Sequence, residues 1–243
     1  MKKPAPPQPR ADSLLLTCEH AGNRIPREYA SLFRGAADAV ASHRGWDPGA
    51  LDVARAVAKK LGVPLPAVAW SRLLVESNRS PTNRRIWSKY TADLPRAERD
   101  RILDRYWWPH RRAVEAAVRD GVAQGRRVVH IAVHSFTPVL DGETRNAEIG
   151  LLYDPARPGE RALCRRWQEI LREMDPTLRV RRNYPYQGNA DGLATWLRRE
   201  FPDADYAGVE LELNQALLAS QRCRALKPVL ATSIARLLGE PAP

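Results

Sequence analysis

The chain is poor in cysteine, and the three it has are scattered. Cys18, Cys164 and Cys223 lie far apart and form no Cys-x-x-Cys pair. That pattern argues against both a disulfide framework and a thiolate zinc site. Long apolar runs are also missing: nothing approaches the ~20 residues of a membrane span. The start, MKKPAPPQPRADS, has two lysines but runs into prolines where a secretory signal needs an apolar stretch. There is no dense basic tail either, although the formal net charge is +11. Such a charge suits nucleic acid, anionic surfaces or acidic substrates. Here the basic residues are spread along helical segments. Aromatic residues do not alternate with them on strands, as a single-strand stacking platform requires. Nucleic acid is therefore not the expected partner. These absences set the expectation of a soluble, cytoplasmic protein outside any membrane. Residues 1–12 are expected to form a flexible, proline-rich start and 13–243 a single domain. Oligomeric state stays open.

What the chain does have is alternation. Residues 13–18 predict a short buried strand, and 25–43 a broken helical stretch. WDPGALDVARAVAKKLG predicts a helix with Asp47 as its cap, Pro48 in its first turn and Gly62 at its end. PAVAW and RLLVES read as strands, followed by a polar loop. Residues 96–124 predict a long helix that Pro109 kinks or interrupts. RVVHIAVHS and AEIGLLYD read as strands, 159–174 as a helix and LRVRRN as a strand. A helix opening at Asn189 or Asp191 comes next, then the strand YAGVELELN and a closing helix over 215–238. Strands alternating with helices predict an α/β fold, a mostly parallel central sheet with helices on both faces.

In such sheets ligands bind beyond the carboxyl ends of strands. The residues gathered there by the reading are Glu19, His20, Asn23, Asn78, Arg79, His134 and Ser135, with Asp47 at a helix start and Glu210 and Glu212 on the last strand. Two histidines, an aspartate and two glutamates are the parts of a hydrolytic zinc site. Zinc takes about three N/O ligands and leaves one position for water, whose proton a nearby carboxylate accepts. Each residue also has an ordinary structural explanation. His20 and Asp47 suit helix caps, and His134 suits a loop contact. His43, His110 and His130 read as structural. No His-Glu-x-x-His motif is present. Glu210 and Glu212 share one strand face. Two like charges there are costly unless a cation lies between them or one is protonated.

In order along residues 14–218, CEHAGN, WDPGA, SRLLVESNR, HSFTPVLDG, RNYPYQGNADG and GVELELNQ resemble the N-formylglutamate amidohydrolase family. The resemblance implies a zinc-exopeptidase-like α/β/α fold, akin to aspartoacylase. It also implies one Zn2+ and zinc-activated hydrolysis of a small acidic N-acyl amino acid such as N-formylglutamate. Position by position, it places His20 and His134 on the metal. The third ligand falls to Asp47, with Asn23 as the other candidate, so that residues 24–46 become an insertion. Glu212 takes the place of the catalytic glutamate, with Glu210 the alternative. Asn78 and Arg79 resemble a pair that binds a substrate carboxylate, for which the guanidinium fork is suited. Tyr184 and Tyr186 fall in a substrate-lining loop, and Arg145 is placed to help hold an anion. Glu19 would support the metal ligands. The family pattern is departed from at Glu76 and Ser77, and at Asn214. Two further readings stand beside this one: another N-acyl or peptide substrate, and an inactive, basic nucleic-acid-binding protein on the same fold.

Overall fold

The structure is a computed structural model that describes residues 12–239. The proline-rich start expected at 1–12 lies outside them, except for Asp12, which opens the first strand. In chain order the elements begin with β1 (Asp12–Thr17), α1 (Ala37–Ala41) and α2 (Ala50–Leu61). Next come α3 (Arg96–Ile102), α4 (Trp108–Ala123), β2 (Arg127–Phe136) and the hairpin strands β3 (Val139–Leu140) and β4 (Glu143–Thr144). Then follow β5 (Ile149–Leu152), α5 (Pro158–Met174), β6 (Val180–Arg182) and α6 (Leu193–Arg198). The chain ends with β7 (Tyr206–Asn214), α7 (Gln215–Ala219) and α8 (Arg222–Leu237).

Five strands form the central sheet in the order β1-β2-β7-β5-β6. All neighbours are parallel except β5 and β7, which run antiparallel. The alternation in the sequence explains why both faces are covered. Val129, Ile131 and Val133 of β2, with Val209, Leu211 and Leu213 of β7, face one core cluster together with residues of α2, α5 and α8. The residues between them, among them His130, His134, Glu210 and Glu212, point to the other face. On that face Val114 and Val118 of α4 and Leu193 and Leu197 of α6 pack deep in the sheet. A third cluster joins Tyr29 and Phe33 to Leu74, Val75, Ile86, Ile102 and Trp107. It makes a wall from the stretch between β1 and α4.

Several expectations change in detail. PAVAW and RLLVES are not strands. PAVAW carries only isolated bridges, Ala67 with Cys18 and Trp70 with Arg24, and in RLLVES residues 72–74 form a turn. Polar side chains cause this: Ser71 Oγ donates to the carbonyl of Gly45 and accepts from the amide of Leu73. Asp47 does not cap α2. That helix opens at Ala50 behind Gly49, whose φ of 83° favours glycine. The helix expected at Asn189 or Asp191 opens at Leu193, where Asn78 Oδ1 accepts the amide of Leu193 at 2.7 Å. The closing helix breaks after Ala219, where Ser220 Oγ bonds the carbonyl of Leu217 and the amide of Arg222. Pro109 interrupts its helix: a π turn at Leu103–Trp107 separates α3 from α4 and absorbs the missing N–H.

Candidate functional site

β1 ends at Thr17, and the chain then places Glu19 and His20 beyond the sheet, both buried. Next to it, β2 carries His134, and the register sets His134 opposite Glu212 of β7. On the far side of β7, Gly150 lies opposite Glu212. Asp47 arrives from the turn before α2. Its amide donates to the carbonyl of His20 at 3.0 Å, which ties the two segments together. Four separate pieces of chain thus meet at one end of the parallel strands.

Three donor atoms converge there. His20 Nδ1 lies 3.2 Å from Asp47 Oδ2, His134 Nδ1 lies 3.0 Å from the same oxygen, and the two Nδ1 atoms are 3.2 Å apart. Around one tetrahedral ion with bonds of about 2.0–2.1 Å, ligand atoms stand about 3.3 Å apart. The outer ring nitrogens face carboxylates. His20 Nε2 contacts Glu76 Oε1, and His134 Nε2 lies 3.1 Å from Glu19 Oε2, although off the line of a straight hydrogen bond. With Nε2–H turned to a carboxylate, each ring directs its Nδ1 lone pair at the shared point. Histidine ligands of metals are commonly held this way. Two ring nitrogens and a carboxylate oxygen meeting in a buried space form a group that could hold a metal ion.

The surroundings carry that demand outward. Burial works against charge on Asp47, but the two histidines outweigh it and hold its carboxyl far below the usual range. Burial likewise opposes protonation of His134, yet Asp47 and Glu19 raise its pKa well above the ordinary value. Glu76 is held low against burial by Arg72 and His20. Arg72 donates to Glu76 Oε2 through Nε at 2.7 Å and to Asp47 Oδ1 at 3.3 Å. Glu19 also meets His110 at 3.1 Å. Glu212 is the exception. Burial, together with the charges of Asp47 and Glu210 and against that of His134, pushes its carboxyl up to about 8. Its buried Oε2 has no hydrogen-bond partner among the described residues. A carboxyl near neutrality beside the donor cluster can take and return a proton.

His20, Asp47, Arg72, His134 and Glu212 line a cavity of about 530 Å³, shared with Asn78, Arg79, Tyr186 and Glu210. Asn78 Nδ2 donates to Glu210 Oε1 at 3.1 Å, and a guanidinium nitrogen of Arg79 donates to the carbonyl of Asp191. Arg145 stands behind the lining, with its guanidinium 2.9 Å from the Tyr186 hydroxyl. Two expected residues are elsewhere. Asn23 turns away and donates to the carbonyl of Val40 at 3.2 Å. The ring of Tyr184 lies under Arg181, 3.9 Å from guanidinium carbon to centroid, and outside the cavity lining. The sequence reading missed Arg72, Glu76, Gln187 and Asp191. The first two flank the apolar run Leu73 to Val75, which reads as part of a strand and hides them.

No curated protein matches the chain significantly. Solved structures similar to it include two from bacteria. The gene product Atu2144 of Agrobacterium tumefaciens is 32% identical, with a TM-score of 0.76 over 93% of this chain and 88% of that one. The N-formylglutamate amidohydrolase of Ralstonia eutropha JMP134 is 20% identical, with a TM-score of 0.71 over 96% of this chain and 95% of that one, a likeness of fold. The model of one family, N-formylglutamate amidohydrolase, matches residues 12–219. The strand-end site and this match across most of the sequence agree, and the chain belongs to the N-formylglutamate amidohydrolase family.

Proposed function

We propose that the chain hydrolyses N-formyl-L-glutamate to formate and glutamate, using zinc held by His20, Asp47 and His134 and Glu212 as the base. Family membership supports a hydrolase acting on an amide C–N bond. The convergence of His20 Nδ1, His134 Nδ1 and Asp47 Oδ2 supports the metal. When bound at such a site, zinc supplies a Lewis acid that brings the pKa of water to about 7 and polarises a carbonyl.

The other steps belong to the chain. Glu212 faces the donor cluster from the neighbouring strand and takes the proton of the attacking water. It then delivers that proton to the amide nitrogen as the C–N bond breaks, so that glutamate leaves as the amine and formate remains. Arg79 pairs with a substrate carboxylate and fixes the formamide relative to Glu212. Asn78, held by Glu210 and the amide of Leu193, shapes the wall beside it. Glu19 and Glu76 keep the histidine rings in place.

The observation that carries the proposal is the meeting of three buried donors beside the buried Glu212 carboxyl, whose Oε2 has no hydrogen-bond partner among the described residues. Formate release from N-formylglutamate, N-acetylglutamate and N-formylglutamine tests it. Turnover should be fastest on N-formylglutamate. Equal or faster turnover of either analogue would assign the site to another N-acyl substrate.

A further inference from the structure

One buried cation takes no part in the chemistry above. Arg111 sits in α4 and is 1% exposed, among the largest fully buried side chains. Its partners are carbonyls and rings rather than a carboxylate. One terminal nitrogen donates to the carbonyl of Ser77 at 3.1 Å and to that of Arg79 at 3.2 Å. The guanidinium lies 4.4 Å from the ring centre of Trp107 and 5.6 Å from that of Trp196. The indole of Trp107 donates to the same Arg79 carbonyl at 3.2 Å. Burial draws its pKa down to about 10, against the pull of Glu19, so it stays cationic at neutral pH. An unpaired charge in a core is costly. A helix that only needed to pack here would carry an apolar residue.

The two carbonyls flank Asn78, and both Asn78 and Arg79 line the cavity. From the other side the segment is held by Glu76, whose Oε1 accepts the amide of Asn78 at 3.0 Å. We infer that Arg111 is a positioning residue for substrate binding: stacked on Trp107, it fixes the backbone of residues 77–79 and so aims Arg79 at the substrate carboxylate. The inference rests on the proposed role of Arg79. Arg111 itself touches no substrate. Lysine would keep the charge but lose the guanidinium face over Trp107, so its rescue should be partial.

The test is a mutant cycle on N-formylglutamate. Arg111→Met should raise KM about tenfold, the size expected from losing a charged hydrogen bond. It should change kcat less than about threefold and leave zinc per chain unchanged by elemental analysis. Arg111→Lys should fall between wild type and Arg111→Met. In an Arg79→Met background the further change Arg111→Met should move KM less than about twofold. If the Met variant does not fold, Trp107→Phe, which keeps the ring and removes the other donor to Arg79, should shift KM in the same direction and lose its effect in the Arg79→Met background. Equal effects in both backgrounds, or an unchanged KM in a folded variant, would overturn the inference. Hydrogen exchange separates this failure from failure of the substrate reading. In the Met variant the amides of Asn78, Arg79 and Ser80 should exchange at least about tenfold faster while β2 and β7 keep their protection. That result is expected whether or not N-formylglutamate is the substrate. Uniform loss of protection, or none, would leave Arg111 without a positioning role.

Discussion

In the proposed mechanism Glu212 and Arg79 divide the work between proton transfer and binding, and each division can be measured. Glu212 is buried, adjacent to the donor cluster and not one of its three members. Glu212→Gln should therefore keep the bound metal and lower kcat by roughly 100-fold or more, the usual size of general acid–base effects. If Glu212→Gln were harmless and Glu210→Gln inactive, the base would be Glu210. Arg79 supplies a planar fork that lysine lacks. Arg79→Lys should cost about 2–3 kcal/mol of transition-state binding, a fall of roughly 30- to 150-fold in kcat/KM for N-formylglutamate, with zinc retained. An unchanged kcat/KM on both N-formylglutamate and N-formylglutamine would remove Arg79 from the site. Glu212 could be placed from the sequence because the alternation in GVELELN puts it on the polar face of its strand, whereas Arg79 lines the cavity although the stretch before it is not a strand. The contacts supporting them could not, because Arg72 and Glu76 lie in a stretch whose apolar run, Leu73 to Val75, imitates a strand. Asn23 failed for a related reason. Nearness to His20 in sequence says nothing of direction, and the amide turns to the carbonyl of Val40 instead.

The strands carry the site because their two faces have different jobs. Alternation in VVHIAVHS and GVELELN sends aliphatic side chains to one cluster and His134, Glu210 and Glu212 to the other face. This much was legible, since a period of two can be read without a structure. Direction and breaks were not. Whether β5 pairs parallel or antiparallel with β7 depends on the chain's path between them. The breaks at Ser220 and before Leu193 depend on side-chain hydrogen bonds, one of them from Asn78, distant in sequence. One element makes a sharp test. A Cβ on Gly150 would meet the Tyr184 carbonyl oxygen at 2.0 Å and Glu212 Cβ at 3.2 Å. Gly150→Ala must push back the loop that brings Tyr186 and Gln187 to the cavity. We expect a loss of about 1–3 kcal/mol in urea unfolding, the range for overpacking, together with a raised KM. Unaltered stability and KM would show that the loop yields freely.

Across the whole molecule, charge and burial set how stability follows pH. Among the described residues no helix is long and apolar enough to cross a membrane. Buried charges gather around His20, Asp47 and His134, and a second set joins Glu160 to Arg157 and Arg198. His130 ties β1 to β7 through Thr17 Oγ1 and the Tyr206 hydroxyl, both at 2.8 Å. Burial lowers its pKa to about 4, only partly offset by Glu19. The unfolded chain, titrating near 6.5, then binds the extra proton between those values, so His130 stabilises the fold less as pH falls from 6.5 to 4. The difference in unfolding free energy between wild type and His130→Phe should shrink by about 3 kcal/mol from pH 7 to pH 4. Parallel pH curves for the two proteins would show that His130 does not titrate this way. The central claim, that this fold gathers His20, Asp47 and His134 to hold a catalytic zinc, is tested most directly by formate release from N-formylglutamate after chelation and after return of zinc. We expect activity to vanish with the metal and to return at about one zinc per chain. Full turnover by protein shown to be metal-free would contradict the claim.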